Sequence, residues 1–211
     1  MMQKPFLAKT VLAAFFFLAA AVAPAVGQGL SMGGGKDDGP IEITADDGIE
    51  WQHLVDLDGA KEGRPVNHDV VKAITSAVGI SCELGGGIRD EASIRLMLED
   101  VGVGRVIIGT QALKDPEWFK KMAGLFPGKL VLGIDARDSM VATEGWLDVS
   151  ATSAIELAKQ YADLDLAALI YTNIANDGMM QGVDEATIND MQELAKLGFH
   201  VIASGGVTTI D

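Results

Sequence analysis

The stretch DGMMQG, residues 177–182, repeats the pattern of DGAKEG, residues 58–63: Asp-Gly, three variable residues, then Gly, at an offset of 177 − 58 = 119. Sliding the chain on itself by that offset also lays Gly86-Gly87-Ile88 on Gly205-Gly206-Val207. Each glycine pair follows an apolar run, ISCEL (80–84) and HVIAS (200–204). Two matched signals at one offset mark an internal duplication, and its unit is far longer than a solenoid repeat.

The text between the repeats alternates regularly. Strand-like apolar runs are HLVDL (53–57), ISCEL (80–84), RVIIG (105–109), LVLGID (130–135), AALIYT (167–172) and HVIAS (200–204). Their near-continuous apolar character suits strands of a parallel sheet. Helical stripes lie between them: Val66, Val70, Ile74 and Ala77; Ile94, Met97 and Val101; Phe119, Met122 and Leu125; Ile155, Ala158 and Ala162; Ile188, Met191 and Leu194. Asp115-Pro116 reads as an N-cap with proline at the first helical position. Six strand–helix alternations mean βαβ units. An open doubly wound sheet usually shows one glycine-rich loop, after its first strand. Here glycines or acids close nearly every strand, which is the habit of a TIM barrel, and a unit of this length is half of a roughly 250-residue barrel.

Lysine plus arginine number 16 and aspartate plus glutamate 30, a formal charge of −14. That argues against a nucleic-acid surface, because phosphate backbones would be repelled. It does not exclude a small phosphorylated ligand held by backbone amides. Cys82 is the single cysteine, so no internal disulfide forms, and its apolar run makes it a buried structural thiol. The opening residues read differently. Lys4 and Lys9 precede an uncharged run from Val11 to Val26, followed by small residues, the layout of a secretory signal peptide over 1–27. A buried core helix is the other reading of that run. It is too short, and broken by Pro24, for a stable membrane span. Residues 28–47 then read as linker, their Gly29–Pro40 part flexible by composition.

Gly85, Gly86 and Gly87 follow a buried strand and precede a helical segment, so backbone N–H groups and a helix N-terminus can face an anion. Gly109 and Thr110 would complete this cup, and Gly205-Gly206 repeat its first part in the second half. Paired cups suit a substrate with a phosphate at each end; tight strand–helix packing is the alternative. Asp135 closes a strand where a carboxylate can pass a proton, or it caps the loop. Asp58 and Asp177 stand beside glycine as turn-formers or as catalytic acids. His53, His68 and His200 show no ligand spacing, and no metal or cofactor motif is present.

Together HLVDLDGAKEGRPVN, LGGGIRDEASI, RVIIGTQALKDP, GIDARD, VATEGW, YTNIANDGMMQG and VIASGGV resemble the isomerase of histidine biosynthesis that acts on phosphoribosylformimino-aminoimidazole carboxamide ribotide. The resemblance covers residues 48–211; the sister cyclase of the pathway shares the half-barrel layout but matches less well at VDLDGA, IIGTQA and the GW. It implies a cytoplasmic (βα)8 barrel and a cofactor-free Amadori rearrangement of a bis-phosphorylated ribotide, from aminoaldose to aminoketose. It also implies roles. Asp135 matches the general acid. Gly86, Gly87 and Gly109 match one phosphate cup, and Gly205 and Gly206 part of the other. Thr172 matches a substrate-side threonine and Trp146 a loop tryptophan that closes over the substrate. Asn173 and Asn176 stand where the pattern has Asp and Arg.

The family's general base ends its first strand. The duplication offset from Asp135 leads to Phe16, inside the leader, and the eighth-strand cup would fall near residue 228. The expectation is therefore an incomplete barrel over 48–211, with the family's strands one and eight missing. The leader with GPIEITADDGIEWQ (39–52) resembles the opening of a periplasmic lipopolysaccharide-transport protein and argues for export. Two functions follow: an isomerase impaired as a fragment, or an exported sugar-phosphate-binding protein without turnover.

Overall fold

The computed structural model of the protein describes residues 51–143, 148–179 and 181–207. The leader, the 28–47 segment and Trp146 lie outside these residues. In chain order the elements are β1 (Trp51–Val55), α1 (Leu57–Glu62), α2 (His68–Ala77), β2 (Ser81–Gly85), α3 (Glu91–Arg95), β3 (Arg105–Ile108), α4 (Thr110–Lys114), α5 (Pro116–Leu125), β4 (Leu130–Arg137), β5 (Met140–Thr143), β6 (Asp148–Ser153), α6 (Ala154–Lys159), β7 (Ala168–Asn173), α7 (Glu185–Lys196) and β8 (Val201–Ser204). A π-helical turn, Leu96–Val101, continues α3.

Six strands run parallel in the order β1-β2-β3-β4-β7-β8. They are the six apolar runs of the sequence, with ends shifted by one or two residues. The largest shift is at β1, which begins at Trp51 and stops at Val55 because Asp56 leaves the strand to cap α1. The distribution of the core separates barrel from doubly wound sheet. Side chains alternate along a strand, and Leu54, Leu84, Val106, Leu132 and Tyr171 point one way, into a core with Val71, Ile94, Met97, Phe119, Met122, Leu157 and Leu194 of the helices. Among the described residues the opposite face carries only a small cluster, Val131, Ala168, Ile170 and Ile202, edged by Ile107, and none of their helices packs on it. Helices on one face of a curled parallel sheet define an incomplete (βα)8 barrel; a doubly wound sheet is covered on both.

Local chemistry fixes the helix starts. The Asp115 side chain accepts from the Trp118 N–H with Pro116 in the first turn. Ser153 and Glu156 form a reciprocal capping box on α6. Tyr161 anchors α5 and α6 together: its ring meets Phe119 edge-on at 4.8 Å and its hydroxyl donates to the Ala112 carbonyl at 2.6 Å.

Two features differ from the sequence reading. Asp58 is not in a bare turn but in the first turn of α1. After β4 the chain does not pass straight to a helix: Asp138 and Ser139, with φ of 51° and 63°, turn it into the antiparallel β5–β6 excursion. A two-residue hairpin matched to strand twist needs such positive φ values.

Candidate active site

Every residue singled out for the site within the described chain lies at the carboxyl ends of the parallel strands or in the loop just beyond. Asp135, Thr172 and Ser204 are register partners across β4, β7 and β8. By alternation they share the helix-free face with Val131, Ile170 and Ile202. Adjacent strands lie about 4.8 Å apart, so the row spans roughly 10 Å. Thr172 and Ser204 are buried and Asp135 half-buried. Ser204 was not singled out in the sequence; its place just before the second glycine pair was the available signal.

The glycine cups flank this row. Gly86 and Gly87 follow β2 with φ of 100° and 77°; Gly205 and Gly206 follow β8 with 84° and 83°. The conformation is one obstacle to a side chain there, and the surroundings are another. A Cβ on Gly86 would be driven into the Asp56 backbone, and one on Gly205 into the Asn173 backbone. A Cβ on Gly87 would stand 2.6 Å from the Arg64 and Gly59 carbonyl oxygens, and one on Gly206 2.6 Å from that of Gly182. The two halves therefore fold the repeated glycines against equivalent neighbours. Gly109 precedes α4, with Thr110 its first residue, beside the Gly133 carbonyl.

Carboxylates near the rim divide by environment. Asp56 is buried on the helix-facing side and accepts four hydrogen bonds: from the N–H groups of Gly59 (2.8 Å), Val66 (2.8 Å) and Asn67 (3.0 Å), and from Asn67 Nδ2 (2.8 Å). Burial alone would raise its pKa, but these bonds hold it below the ordinary value. Asp58 is exposed and accepts from Asn67 Nδ2 at 3.0 Å. Asp177 is half-buried in the loop after β7, and burial pushes its carboxyl upward against the Gly178 N–H.

Deeper on the same face as Asp135 lies a charged row. Glu83 accepts from Arg105 Nε at 2.6 Å and pairs with His53 Nδ1 at 2.8 Å, and the Arg105 guanidinium stacks 3.9 Å over the Trp51 ring. Burial would raise the Glu83 carboxyl, but His53 and Arg105 outweigh it and keep its pKa low. His53 is a hydrogen-bond partner of Glu83 in this row. Among the described residues no cluster of three metal-ligating side chains stands together, and no helix is long and apolar enough to cross a membrane.

A helix-backed parallel half-barrel with Asp135 and two glycine pairs at its carboxyl rim is of the TIM-barrel class, in which enzymes carry their sites at that rim. The family model described as "Histidine biosynthesis protein" matches residues 39–211, starting upstream of the boundary expected at 48. The 1-(5-phosphoribosyl)-5-((5-phosphoribosylamino)methylideneamino) imidazole-4-carboxamide isomerase of Rhodopirellula baltica is 46% identical over 180 residues, 82% of this chain and 70% of the relative. Its counterpart from Hahella chejuensis is 49% identical over 179 residues, 82% of this chain and 72% of the relative. That of Geobacter sulfurreducens is 44% identical over 182 residues, 83% and 73%. The chain belongs to the histidine biosynthesis protein family, and by family it is an isomerase.

Proposed function

We propose that the carboxyl rim binds a bis-phosphorylated aminoaldose ribotide of the kind named for its relatives, one phosphate at each glycine cup, with Asp135 as general acid of an Amadori rearrangement. The observation that carries this reading is the row Asp135, Thr172, Ser204 set between two equivalent glycine cups. Amides at such loops suit phosphate oxygens. Gly86, Gly87, Gly109 and Thr110 serve one phosphate, Gly205 and Gly206 the other. Thr172 lies beside the acid, and Trp146 is the loop residue assigned to close over the substrate.

Asp135 gives a proton to the ring oxygen, the bond from that oxygen to the anomeric carbon breaks, and the amine lone pair forms C=N. A base then takes the proton from the neighbouring carbon to give an enolamine, which becomes the ketose as its hydroxyl proton leaves and a proton adds to the former anomeric carbon. Two protons are given, to the ring oxygen and the former anomeric carbon, and two are taken, so the reaction is an isomerisation without a cofactor.

The second step limits this chain. Among the described residues, no second carboxylate ends a strand on the helix-free face. Glu83 is tied to Arg105 and His53, Asp56 faces the helices with both oxygens engaged, and Asp58 and Asp177 sit on flanking segments. We infer that the chain as written binds the ribotide but turns it over poorly. Calorimetric titration with the ribotide tests the binding: saturable uptake competed by inorganic phosphate supports the reading, and absence of uptake overturns it.

A further inference from the structure

Two buried side chains tie each cup's supporting backbone to a helix start, and the two halves do this with residue types exchanged. In the first half Asp56, just after β1, accepts from Nδ2 of Asn67, the residue before α2, at 2.8 Å. In the second, Asn173, the last residue of β7, donates from Nδ2 to Asp184, the residue before α7, at 2.7 Å. The spacing is eleven residues in both, since 67 − 56 = 184 − 173, and the pairs are related by 173 − 56 = 117. The offset is two short of the glycine offset because the second half spends two more residues before its Asp-Gly and two fewer after its hexamer. Helix α7 recovers them, with 12 residues against 10 in α2.

The backbone held by each pair is the wall on which the cup glycine rests: Gly86 against Asp56, Gly205 against Asn173. The Asp56 N–H also donates to the Gly85 carbonyl at 2.8 Å. We propose that Asp56 with Asn67, and Asn173 with Asp184, are the positioning residues of the two phosphate cups, acting through the strand-end backbone. This deepens the phosphate reading of the glycines and rests on it.

Local donors dictate which partner is the acid. At Asp56 three backbone N–H groups converge beside the Asn67 amide, so only a carboxylate can accept them all. At Asn173 the single backbone donor is Ala175 (3.0 Å), and the Asn173 amide also donates to Thr187 Oγ1 (2.7 Å). There the acid is needed at the helix start, where Asp184 accepts from the Thr187 N–H at 2.8 Å. The second latch is therefore reversible and the first is not. Exchanging Asn173 and Asp184 keeps the helix cap through the asparagine oxygen, lets the Thr187 hydroxyl donate instead of accept, and requires the half-buried Asn176 amide, which now donates to Asp184 at 2.8 Å, to turn over and accept. Exchanging Asp56 and Asn67 leaves two backbone donors facing an amide.

The test uses the 211-residue chain, with inorganic phosphate as probe, reading each cup through the amide resonances and hydrogen exchange of its own glycines. Asn173→Asp sets two carboxylates together. It is expected to weaken phosphate at Gly205 and Gly206 by about tenfold, with faster exchange there and no change at Gly86 and Gly87. Asn173→Asp with Asp184→Asn is expected to return both readouts to within about twofold. Asp56→Asn is expected to weaken the first cup alone, and adding Asn67→Asp is not expected to rescue it. If Asn173→Asp fails to fold, refolding by the added Asp184→Asn supports the latch. An unchanged second cup in Asn173→Asp, a double variant no better than the single, or rescue of Asp56→Asn by Asn67→Asp overturns it. Silence of the wild-type glycine amides toward phosphate would reject the phosphate reading, while their hydrogen exchange still decides the latch.

Discussion

Asp135 and Thr172 stand side by side in register on the parallel strands β4 and β7, on the face that no helix of the described residues covers. One brings an ionisable proton and the other a neutral hydroxyl to the same edge of the sheet, between the two glycine cups.

That placement separates their roles. Asp135→Asn keeps the shape and loses the proton, so ribotide affinity is expected to stay within about threefold. In a chimera carrying residues 51–207 inside a full-length relative, the same change is expected to lower kcat by about 10²–10⁴-fold with KM little altered. A loss below about tenfold would reassign Asp135 to structure. Thr172→Val removes a buried hydroxyl and is expected to weaken binding instead.

The cup glycines make a contrast with an open one. Gly86→Ala and Gly205→Ala impose a side chain at positive φ against backbone, and each is expected to cost about 2 kcal/mol or more. Gly124 lies exposed on α5 with nothing within 4 Å of an added Cβ. Gly124→Ala is expected to add about 0.5–1 kcal/mol, the ordinary helix preference. Urea unfolding of the three variants checks the order.

Acid sensitivity follows from Glu83 and Asp56. Both have native pKa values below their ordinary 4.5 and 3.8. A lowered native pKa contributes stability that is full above the unfolded value and lost as pH falls toward the native one. Stability is therefore expected to drop as pH falls through 4.5 and below. Glu83→Gln leaves Arg105 buried without its counter-charge and is expected to cost about 3–5 kcal/mol at neutral pH. It also flattens the acid limb. Urea midpoints measured between neutral and acidic pH check both effects, and a variant curve parallel to the wild type would contradict the assignment.

Much of this frame was legible in the chain. The 119-residue offset located both glycine pairs, and the six apolar runs became the six parallel strands, because buried parallel strands write continuous apolar text. The β5–β6 excursion was not legible: its turn is Asp138-Ser139, without the Asn-Gly or Asp-Gly that usually marks a two-residue hairpin. Asp56 and Asn67 were passed over because their partners are mostly backbone N–H groups brought together by folding, which no spacing encodes. Asn173 was visible as a departure from the family's acid, but its meaning needed Asp184 beside it. Ser204 gained significance only from its register with Thr172.

We infer that the carboxyl rim of this chain binds the ribotide with Asp135 as its acid, and that among the described residues no second carboxylate is placed as the base. This is tested by following aminoaldose-to-aminoketose conversion with the purified 211-residue protein from a host deleted for its own isomerase. Saturable ribotide binding is expected, with turnover at least about 10²-fold below the enzyme scale of roughly 1 s⁻¹. Turnover on the order of 1 s⁻¹ would contradict it and would make Asp58 and Asp177 the first carboxylates to test as the base.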